Sequence, residues 1–446
     1  MQRIISLPQE EMPTSWGNLK AELPEQLPLP LDPKTKKPAS LDFLYRLFPK
    51  ELVHQELSNE PSIKIPEDVF NEYLRIPRPT PLVRATRLEE YLKTPAEIYY
   101  KAEHLSPTGA HKMNVSIPAA YYAKKQGAER VVTLTGAGQW GSALALASAS
   151  LGMKCTVYMV KVSYEQKPGR RIMMKLWGAD IFPSPSDHTA AGRRFLKENP
   201  NDPGSMGTAV SEALEDALGD PKAKYCTGSL WNYTMIDQSV IGLEAKKQFE
   251  LIDKYPDIVC GCIGGGSNLA GMSHPFMVNK LKGKKPDTEF IAVEPKAVPS
   301  TTRGTYTYDH GDSAEITPLI KMYTVGHKYS NPPIHAGGLR HHGKAPVISY
   351  LIYNKLMRSV AYHQNEVFEA ARIFAQTEGI IVAPETAHTI KCVVDEALKC
   401  RRTGEKKIIT FALTGHGLLD LAAYDMFLSG KLVDWEPTNI EVPHYI

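Results

Sequence analysis

The sequence has few cysteines and no long apolar run. Six cysteines are scattered over 446 residues, without the paired spacing of a metal site or the density of a disulfide scaffold. No apolar stretch approaches the length that spans a membrane, and Met1–Ile4 does not open the apolar run of a signal peptide. We therefore expect a cytoplasmic protein with buried free thiols, no metal and no membrane contact.

An excess of charge of either sign is also missing. The chain has 52 lysines and arginines against 49 acidic residues, a formal net charge of +3, and the basic residues are spread along it. A nucleic-acid-binding protein concentrates them in a patch or stripe, so we expect no nucleic-acid partner. With 42% hydrophobic and 23% charged residues, the composition is that of an ordinary globular protein.

The beginning of the chain differs from the rest. Residues 1–90 are rich in proline and charged residues and show only short helical patterns, which predicts an arm packed on a core. From about residue 96 onward, short β-branched runs alternate with helices rich in small residues, the pattern of α/β layers with parallel sheets. We predict α/β domains over 91–224 and 225–446, and the polar stretch 199–224 is the predicted connection between them.

Lys112 lies between a histidine and an asparagine at the start of a helical pattern. The stretch 97–103 predicts a strand, a Pro-Thr-Gly turn follows, and Met113–Ala123 predicts a helix. Backbone NH groups and the helix dipole favour an anion there, and a lysine among them can lose its proton and attack a carbonyl. A lone lysine is more often an ordinary surface residue, so a Schiff-base role depends on the segments around it.

Three glycine-rich segments follow predicted strands. The first stands directly after the apolar run 258–263 and consists of Gly264, Gly265, Gly266, Ser267 and Asn268. Consecutive glycines turn backbone NH groups inward and the next helix supplies its positive end, so this segment predicts a phosphate loop, with a tight packing turn as the alternative. It lacks the Gly-x-Gly-x-x-Gly and Gly-Lys-Ser/Thr patterns of dinucleotide and nucleoside-triphosphate sites.

The other two segments offer further donors. One has NH and side-chain groups suited to a carboxylate, and its residues are Thr135, Gly136, Ala137, Gly138 and Gln139. The other contains Thr414, whose hydroxyl could reach a ring nitrogen, although either segment could be only a packing turn. Ligands of parallel α/β sheets bind at the carboxyl ends of strands, so the three segments can face one cleft. With a lysine, they describe a pyridoxal-phosphate site for an amino acid.

A set of ordered motifs resembles a known family. They are Gly-Ala-His-Lys-x-Asn, Thr-Gly-Ala-Gly-Gln-Trp-Gly, Gly-Gly-Gly-Ser-Asn, Glu-Gly-Ile-Ile followed by Pro-Glu-Thr-Ala-His, and a late Thr-Gly-x-Gly, in unbroken order between about residues 77 and 420. Together they resemble the β chain of tryptophan synthase. The long arm, Trp140, Gln166–Arg171 and Ala336–Arg340 resemble the longer, divergent second branch of that family.

The resemblance implies a fold-type II pyridoxal-phosphate enzyme, with two three-layer α/β/α domains and the cofactor in the cleft between them. Lys112 would hold the cofactor as a Schiff base and move the Cα proton of the substrate, with His111 beside the phosphate. The remaining cofactor-binding residues would be Asn114, the phosphate loop 264–268, Thr414 at the pyridine nitrogen and Glu385 near the other edge of the ring. The segment 135–139 would hold the substrate carboxylate.

The reaction implied by the resemblance is β-replacement, in which a serine-type substrate loses its β-substituent and indole adds through its C3 to give L-tryptophan. The expected partners are therefore small molecules, namely indole and a serine donor. The long arm and the resemblance to the second branch favour a homodimer, for which the α subunit of tryptophan synthase is an optional rather than a required partner.

The chain departs from the family pattern at two positions. The usual β chain has a glutamate immediately before Thr-Gly-Ala-Gly-Gln, where this chain has Leu134. Where the usual enzyme has the aspartate of Ala-Gly-Leu-Asp, this chain has Arg340, followed by His341 and His342. Leucine cannot help hydroxide to leave or take a proton from indole. At the second position, a negatively charged aspartate is replaced by a positively charged arginine.

Both departures fit a donor whose leaving group is phosphate. Hydroxide needs a proton donor in order to leave, whereas phosphate leaves as a stable anion and is stabilised by positive donors. We therefore predict O-phospho-L-serine as the donor, bound by Arg340 with His341 or His342, and L-serine as the other candidate. In the plainer interpretation Arg340 faces solvent and Leu134 marks the loss of indole chemistry. A serine or phosphoserine β-eliminating lyase and a non-catalytic amino-acid sensor are then the alternative functions.

Overall fold

The computed structural model describes residues 3–445, which form a mixed α/β protein. Its strands are β1 (Ile4–Ile5), β2 (Ser15–Gly17), β3 (Ser62–Lys64), β4 (Leu82–Arg84), β5 (Glu97–Lys101), β6 (Arg130–Thr135), β7 (Lys154–Val160), β8 (Asp180–Ser184), β9 (Ala223–Tyr225), β10 (Ile258–Cys262), β11 (Glu289–Pro295), β12 (Thr305–His310), β13 (Leu319–Thr324), β14 (Arg358–Tyr362) and β15 (Ile408–Ala412).

Helices follow most of these strands, as the alternating sequence pattern predicts. They are α1 (Leu41–Leu47), α2 (Lys50–Leu57), α3 (Glu67–Arg75), α4 (Thr86–Leu92), α5 (Met113–Lys125), α6 (Gln139–Ser150), α7 (Lys161–Gln166), α8 (Pro168–Leu176), α9 (Ala190–Glu198), α10 (Met206–Gly219), α11 (Asn232–Leu251), α12 (Ser267–Leu281), α13 (Pro346–Tyr353), α14 (Gln364–Glu378), α15 (Pro384–Thr403) and α16 (Leu421–Leu428). Short 3-10 turns occur at Gln9–Glu11, Leu19–Glu22, Glu103–Leu105 and Gly337–Leu339.

Two larger sheets organise the fold. One has seven strands in the order β1-β4-β5-β15-β10-β11-β14, and the other has four strands in the order β8-β7-β6-β9. The strands from β5 to β14 in the first sheet and all strands of the second run parallel, which confirms the predicted parallel α/β layers. Two antiparallel pairs, β2 with β3 and β12 with β13, complete the strand pairing.

Continuous apolar runs form the central strands because both faces of a parallel sheet are covered. In β10, every residue from Ile258 to Cys262 is buried, and in β6 only Arg130 is partly exposed. Glycine at the carboxyl end of these strands lets the chain turn sharply into the next helix: Gly138 before α6 and Gly266 before α12 have φ of 89° and 107°. The common direction of the strands therefore places these turns on one side of each sheet.

The arm contributes strands and core residues to the fold and does not only pack on its outside. Its strands β1 and β4 extend the seven-stranded sheet in antiparallel pairing, and Leu82 lies opposite Lys101 of β5. Trp16 is fully buried, and its ring meets Tyr73 of α3 edge to face with centroids 6.5 Å apart. The arm is thus part of the hydrophobic core.

The predicted connection over 199–224 contains regular secondary structure, which the sequence analysis did not assign to it. Most of it is helix α10, whose first turn is capped by Ser205, with Thr208 bonding back to complete a capping box. The domain ranges 91–224 and 225–446 stay a prediction. One strand of the first range pairs with strands of the second. Strand β5 pairs in parallel with β15, so it lies in the sheet of the later strands.

The six cysteines are buried and form no disulfide among the described residues. No helix within residues 3–445 is long and apolar enough to cross a membrane.

Candidate active site

The carboxyl ends of several strands meet at one cavity. About 1080 Å³ of space, open solvent included, lies between the residues that line it. The predicted site residues that line it are His111, Lys112, Leu134, Thr135, Gly136, Ala137, Gln139, Gly264, Gly265, Gly266, Ser267, Asn268, His341, Glu385 and Thr414.

Lys112 lies in this cavity directly before α5. Its Nζ donates to the backbone oxygen of Gly228 at 2.9 Å. Burial lowers the pKa of Lys112 to about 8, against the opposing effects of Cys262 and Glu385. A larger fraction of this amine is therefore neutral, and nucleophilic, near pH 8 than for an ordinary lysine.

Two loops hold Lys112 in place. Ala110 forms an isolated bridge with Gly415, the amide of His111 donates to the oxygen of Thr414 at 2.9 Å, and that of His416 donates to Gly109 at 3.0 Å. Gly109 has a φ of 69°, and a Cβ there would lie 2.0 Å from the His416 ring, so glycine is favoured at this crossing. The lysine segment and the segment that follows β15 are thus joined by backbone pairing.

The segment Gly264–Asn268, here called the triple-glycine loop, has no room for side chains on its glycines. A Cβ would lie 2.1 Å from the oxygen of Gly338 if placed on Gly264, and 2.1 Å from Ser229 Oγ if placed on Gly265. On Gly266 it would meet Ile348 at 2.7 Å. No side chain therefore covers the backbone at these three glycines, and its NH groups are available to a ligand.

This loop carries unsatisfied polar atoms. Both Nδ2 and Oδ1 of Asn268 are buried without a hydrogen-bond partner among the described residues, although buried polar atoms normally have one. Helices α5, α6 and α12 all begin at the cavity, and each contributes the partial positive charge of its N-terminus. These features fit an anionic group, so the site is suited to the phosphate of the expected cofactor.

The segment Thr135–Gln139, here called the Thr135 loop, faces the same cavity. Thr135 Oγ1 accepts from the amides of Gly138 and Gly141, both at 3.2 Å, and so caps the start of α6. Gln139 Nε2 donates to Glu385 Oε2 at 3.1 Å, while the other carboxylate oxygen accepts from the amide of Gly338 at 2.8 Å. Glu385 thus connects the Thr135 loop to the segment before Arg340.

Thr414 lines the cavity and is buried. Its Oγ1 is 2.7 Å from Oγ1 of Thr386, and either hydroxyl can be the donor. Thr414 can therefore turn its hydrogen toward a ring nitrogen while Thr386 satisfies its lone pair.

Arg340 is buried, which contradicts the solvent-facing alternative. Its Nη2 donates to Ser163 Oγ, and no carboxylate among the described residues is within salt-bridge distance. Burial lowers the pKa of Arg340 to about 10, opposed by Glu385. A Cβ on Gly337 would lie 3.1 Å from Nη2 and 3.2 Å from the Cβ of Ala137, so the guanidinium lies beside the Thr135 loop.

Three predicted residues do not line the cavity: Asn114, Gly138 and Arg340. The amide of Asn114 instead contacts Arg78 of the arm and Glu103, which follows β5. A Cβ on Gly138 would meet the Arg170 side chain at 2.7 Å, and the Arg340 guanidinium packs against Gly337, which does not line the cavity either. His342, the alternative to His341, is buried elsewhere, with Nε2 2.8 Å from the oxygen of His310.

Sequence reasoning missed part of the wall. Residues 227–231, which follow β9 and include the Gly228 that accepts from Lys112, line the cavity together with Met206 and Val210 of α10. Gly228 follows the short strand pattern that ends at Thr227, and a glycine in that place could have indicated a further loop of the site at 227–231. No sequence signal indicated that Met206 and Val210 line the cavity, because helix α10 itself was not predicted.

Comparison with known proteins agrees with this geometry. A family model described as "Pyridoxal-phosphate dependent enzyme" matches residues 74–415. "Tryptophan synthase beta chain 2" of Pyrococcus furiosus is 55% identical over 438 residues, covering 98% of this chain and 98% of that protein. "Tryptophan synthase beta chain" of Thermococcus onnurineus is 56% identical over 434 residues, covering 97% and 98%. "Tryptophan synthase beta chain 2" of Aquifex aeolicus is 53% identical, covering 97% and 100%.

Solved structures share the fold at low identity. A fungal L-serine ammonia-lyase from Rhizomucor miehei has a TM-score of 0.59 at 17% identity, covering 79% of this chain and 98% of that chain. A threonine deaminase from the organism abbreviated T.th. has a TM-score of 0.52 at 18% identity, covering 78% and 97%. The chain therefore belongs to the fold-type II pyridoxal-phosphate dependent enzymes and, among these lyases, to the tryptophan synthase β chains.

Proposed function

We propose that this chain makes L-tryptophan from indole and O-phospho-L-serine. The observation that carries the choice of donor is Arg340, a buried cation beside the Thr135 loop that has only the hydroxyl of Ser163 as a side-chain partner among the described residues. A buried charge is costly unless it is paired, so the guanidinium calls for an anion that arrives with the substrate. Phosphate meets that need and matches the fork of an arginine.

In this proposal pyridoxal phosphate supplies the electron sink for breaking the Cα–H and Cβ–O bonds of the donor. Lys112 Nζ carries the cofactor and moves the Cα proton, which its lowered pKa near 8 favours close to neutral pH. The NH groups of the triple-glycine loop and Asn268 hold the cofactor phosphate, and Thr414 donates to its ring nitrogen. The Thr135 loop orients the substrate carboxylate.

The Cβ–O bond breaks next to groups that suit a phosphate leaving group. Leu134 is buried in the cavity wall and offers no proton, so it cannot assist hydroxide. His341 lines the cavity together with Glu385, and the Arg340 guanidinium, which is buried behind the cavity wall, adds the positive charge that a leaving phosphate needs. Inorganic phosphate then leaves with the electron pair of the Cβ–O bond and needs no proton at that moment.

An apolar part of the wall suits indole. It consists of Leu134, Val210, Tyr225, Leu230, Trp231 and Ile320. Trp140 lies among them with its ring nitrogen bonded to Thr133 Oγ1 at 2.7 Å, so the indole group of Trp140 is fixed in one orientation. Such a wall excludes water from the Cβ atom and favours carbon attack by indole over hydrolysis.

Donor competition with an Arg340 variant tests the proposal. We expect wild-type protein with indole to turn over phosphoserine at a higher kcat/KM than serine. In Arg340→Ala the phosphoserine value falls by about 30-fold or more, the cost of removing one partner of a buried charge pair. The serine value changes little, because serine brings no second anion. Tryptophan and pyruvate are both measured in each assay.

The matched control is Arg303→Ala, which removes a partly exposed arginine paired with Glu436. The kcat/KM values for both donors should be unchanged in this variant. A preference for serine that Arg340→Ala does not alter would overturn the choice of donor. Pyruvate formation that indole does not reduce would instead identify the β-eliminating lyase.

We also infer that the chain acts as a homodimer without requiring an α subunit. An apolar surface patch supports this: Ile172, Leu176, Leu418 and Leu421 are 59%, 79%, 58% and 50% exposed. Their two segments touch, since Leu419 Cδ2 lies 2.9 Å from where a Cβ on Gly169 would be. Patches of this kind mark protein interfaces, and closed two-fold pairing is the commonest solution.

Mass measurement by light scattering tests this dimer. Wild-type protein should have twice the 49.5 kDa mass of the chain, and Leu176→Glu should shift it toward a single chain. Leu251→Glu is the control, because Leu251 is similarly exposed, at 64%, but ends α11 instead of lying in the patch. A monomeric wild type, or an unchanged mass in Leu176→Glu, would contradict the inference.

A further inference from the structure

A buried chain of polar side chains runs from the arm to the cavity. It consists of Arg78, Glu103, Asn114, Gln238 and His111, and we call it the polar chain. Arg78 Nη1 donates to Glu103 Oε2 at 2.9 Å, and both side chains are almost fully buried. A second buried ion pair, Lys101 with Glu244 at 2.6 Å, lies next to it, and the four charges cancel.

The charged end of the polar chain fixes Asn114. Its Oδ1 accepts from Arg78 Nη1 at 2.6 Å, and its Nδ2 donates to Glu103 Oε2 at 2.9 Å. Arginine can only donate. Glu103 can only accept when ionised, and although burial raises its pKa, Arg78 and Lys101 bring that pKa down to about 2. Exchanging the amide oxygen and nitrogen of Asn114 would break both bonds.

Asn114 in turn fixes Gln238 of α11. Asn114 Nδ2 donates to Gln238 Oε1 at 3.0 Å, which leaves Gln238 Nε2 on the side of His111. There Nε2 is 3.3 Å from the backbone oxygen of His111, a group that can only accept. The orientation of Gln238 is therefore determined at both ends of its amide.

Gln238 determines which nitrogen of His111 carries the proton. Gln238 Nε2 is 2.8 Å from His111 Nδ1, and because this amide nitrogen donates, Nδ1 must accept with its lone pair. Burial and the neighbouring Lys112 lower the pKa of His111 to about 3, so the ring is neutral and its proton is on Nε2. Nε2 has no hydrogen-bond partner within residues 3–445, and His111 is one of the residues that line the cavity.

We propose that the polar chain holds His111 as an Nε2–H donor for an anion in the cavity, with Gln238 and Asn114 as positioning residues. The anion is the phosphate of the cofactor, a step that rests on the function proposed above. Because the donor is oriented before the ligand arrives, binding requires no proton rearrangement. With the other tautomer, the Nε2 lone pair would face a phosphate oxygen and repel it.

Gln238→Glu tests the tautomer directly. The glutamate keeps the shape of the side chain and can still accept from Asn114, but when ionised it presents an acceptor oxygen to His111 Nδ1 in place of an NH group, so the spectra are recorded at a pH at which this carboxyl is ionised. We expect Nδ1 to be unprotonated in the wild type and protonated in Gln238→Glu. The measurement is ¹⁵N NMR of cofactor-free protein labelled in the histidine rings, with the His111 signals assigned by their loss in His111→Asn.

A matched control lies on the same helix. Gln248 is buried, and its Nε2 donates to the backbone oxygens of Ile5 and Thr80 at 2.8 and 2.9 Å, away from His111. Gln248→Glu should therefore leave the His111 signals unchanged. If Gln238→Glu does not fold, the uncharged Gln238→Met replaces it and should give a mixture of both tautomers.

The anion is tested with two ligands that differ only in the phosphate. Pyridoxal phosphate should shift the His111 Nε2 signal of the wild type, and pyridoxal should not. An Nδ1 that is protonated in the wild type, or remains unprotonated in Gln238→Glu, would overturn the role of the polar chain. An equal response to both ligands would overturn the phosphate contact. Neither readout uses indole or a serine donor, so both are independent of the donor assay.

Discussion

Lys112→Ala is expected to lose the visible absorbance of the protein-bound cofactor and to form tryptophan about 10⁴-fold more slowly. The Nζ of Lys112 is the amine that lies in the cavity, and its pKa near 8 makes it available as a nucleophile and as a base. Alanine removes the covalent attachment and the proton carrier together. Absorbance spectra and indole turnover, measured on protein dialysed against pyridoxal phosphate, check both losses.

Lys344→Met is the matched control for this prediction. Lys344 is fully buried, whereas Lys112 is partly exposed to the cavity, and burial lowers the pKa of Lys344 likewise to about 8, opposed by Glu294. Its Nζ, however, donates to the backbone oxygen of His341 at 3.1 Å and does not line the cavity. This variant should keep the absorbance band. A band that persists in Lys112→Ala would mean that another lysine binds the cofactor, and a band that no amino acid alters would revive the sensor alternative.

Local sequence signals were sufficient for the elements that carry the candidate site. The apolar run of β10, the glycines after it and the helical pattern that follows are contiguous, so the position of the triple-glycine loop at a strand end follows from neighbouring residues alone. The same holds for β6 and the Thr135 loop. Lys112 at the start of α5 was predicted on the same basis, because each unit is one strand, one turn and one helix.

Long-range relations were not predictable from these signals. The polar chain joins Arg78 to Gln238, which are 160 positions apart, and nothing in either local sequence indicates the other. The burial of Arg340 likewise depends on Ser163 and Gly337, which only the folded chain brings to it. Helix α10 was missed for a different reason: aspartate, glycine and proline around it outweighed the alanine-rich helical pattern within it.

Gly264→Ala is expected to lower the affinity for pyridoxal phosphate by about a hundredfold, because overpacking of this severity costs about 3 kcal/mol. The added methyl group would lie 2.1 Å from the backbone oxygen of Gly338, a distance that requires one of the two loops to move. The segment at Gly338 resists movement, since its amide donates to Glu385 at 2.8 Å. The triple-glycine loop therefore shifts and misplaces its NH groups. Titration of cofactor-free protein, followed by absorbance, measures the change.

Gly219→Ala separates this clash from the general effect of replacing glycine. Gly219 ends α10, and a Cβ there would meet no atom within 4 Å. Alanine is favoured over glycine in a helix by up to about 1 kcal/mol, so Gly219→Ala should be slightly more heat-stable and bind the cofactor normally. Both variants add one methyl group, and only Gly264→Ala forces it against a backbone oxygen. Equal affinities would therefore show that the phosphate is not held by the triple-glycine loop, because a loop that had moved could not bind it unchanged.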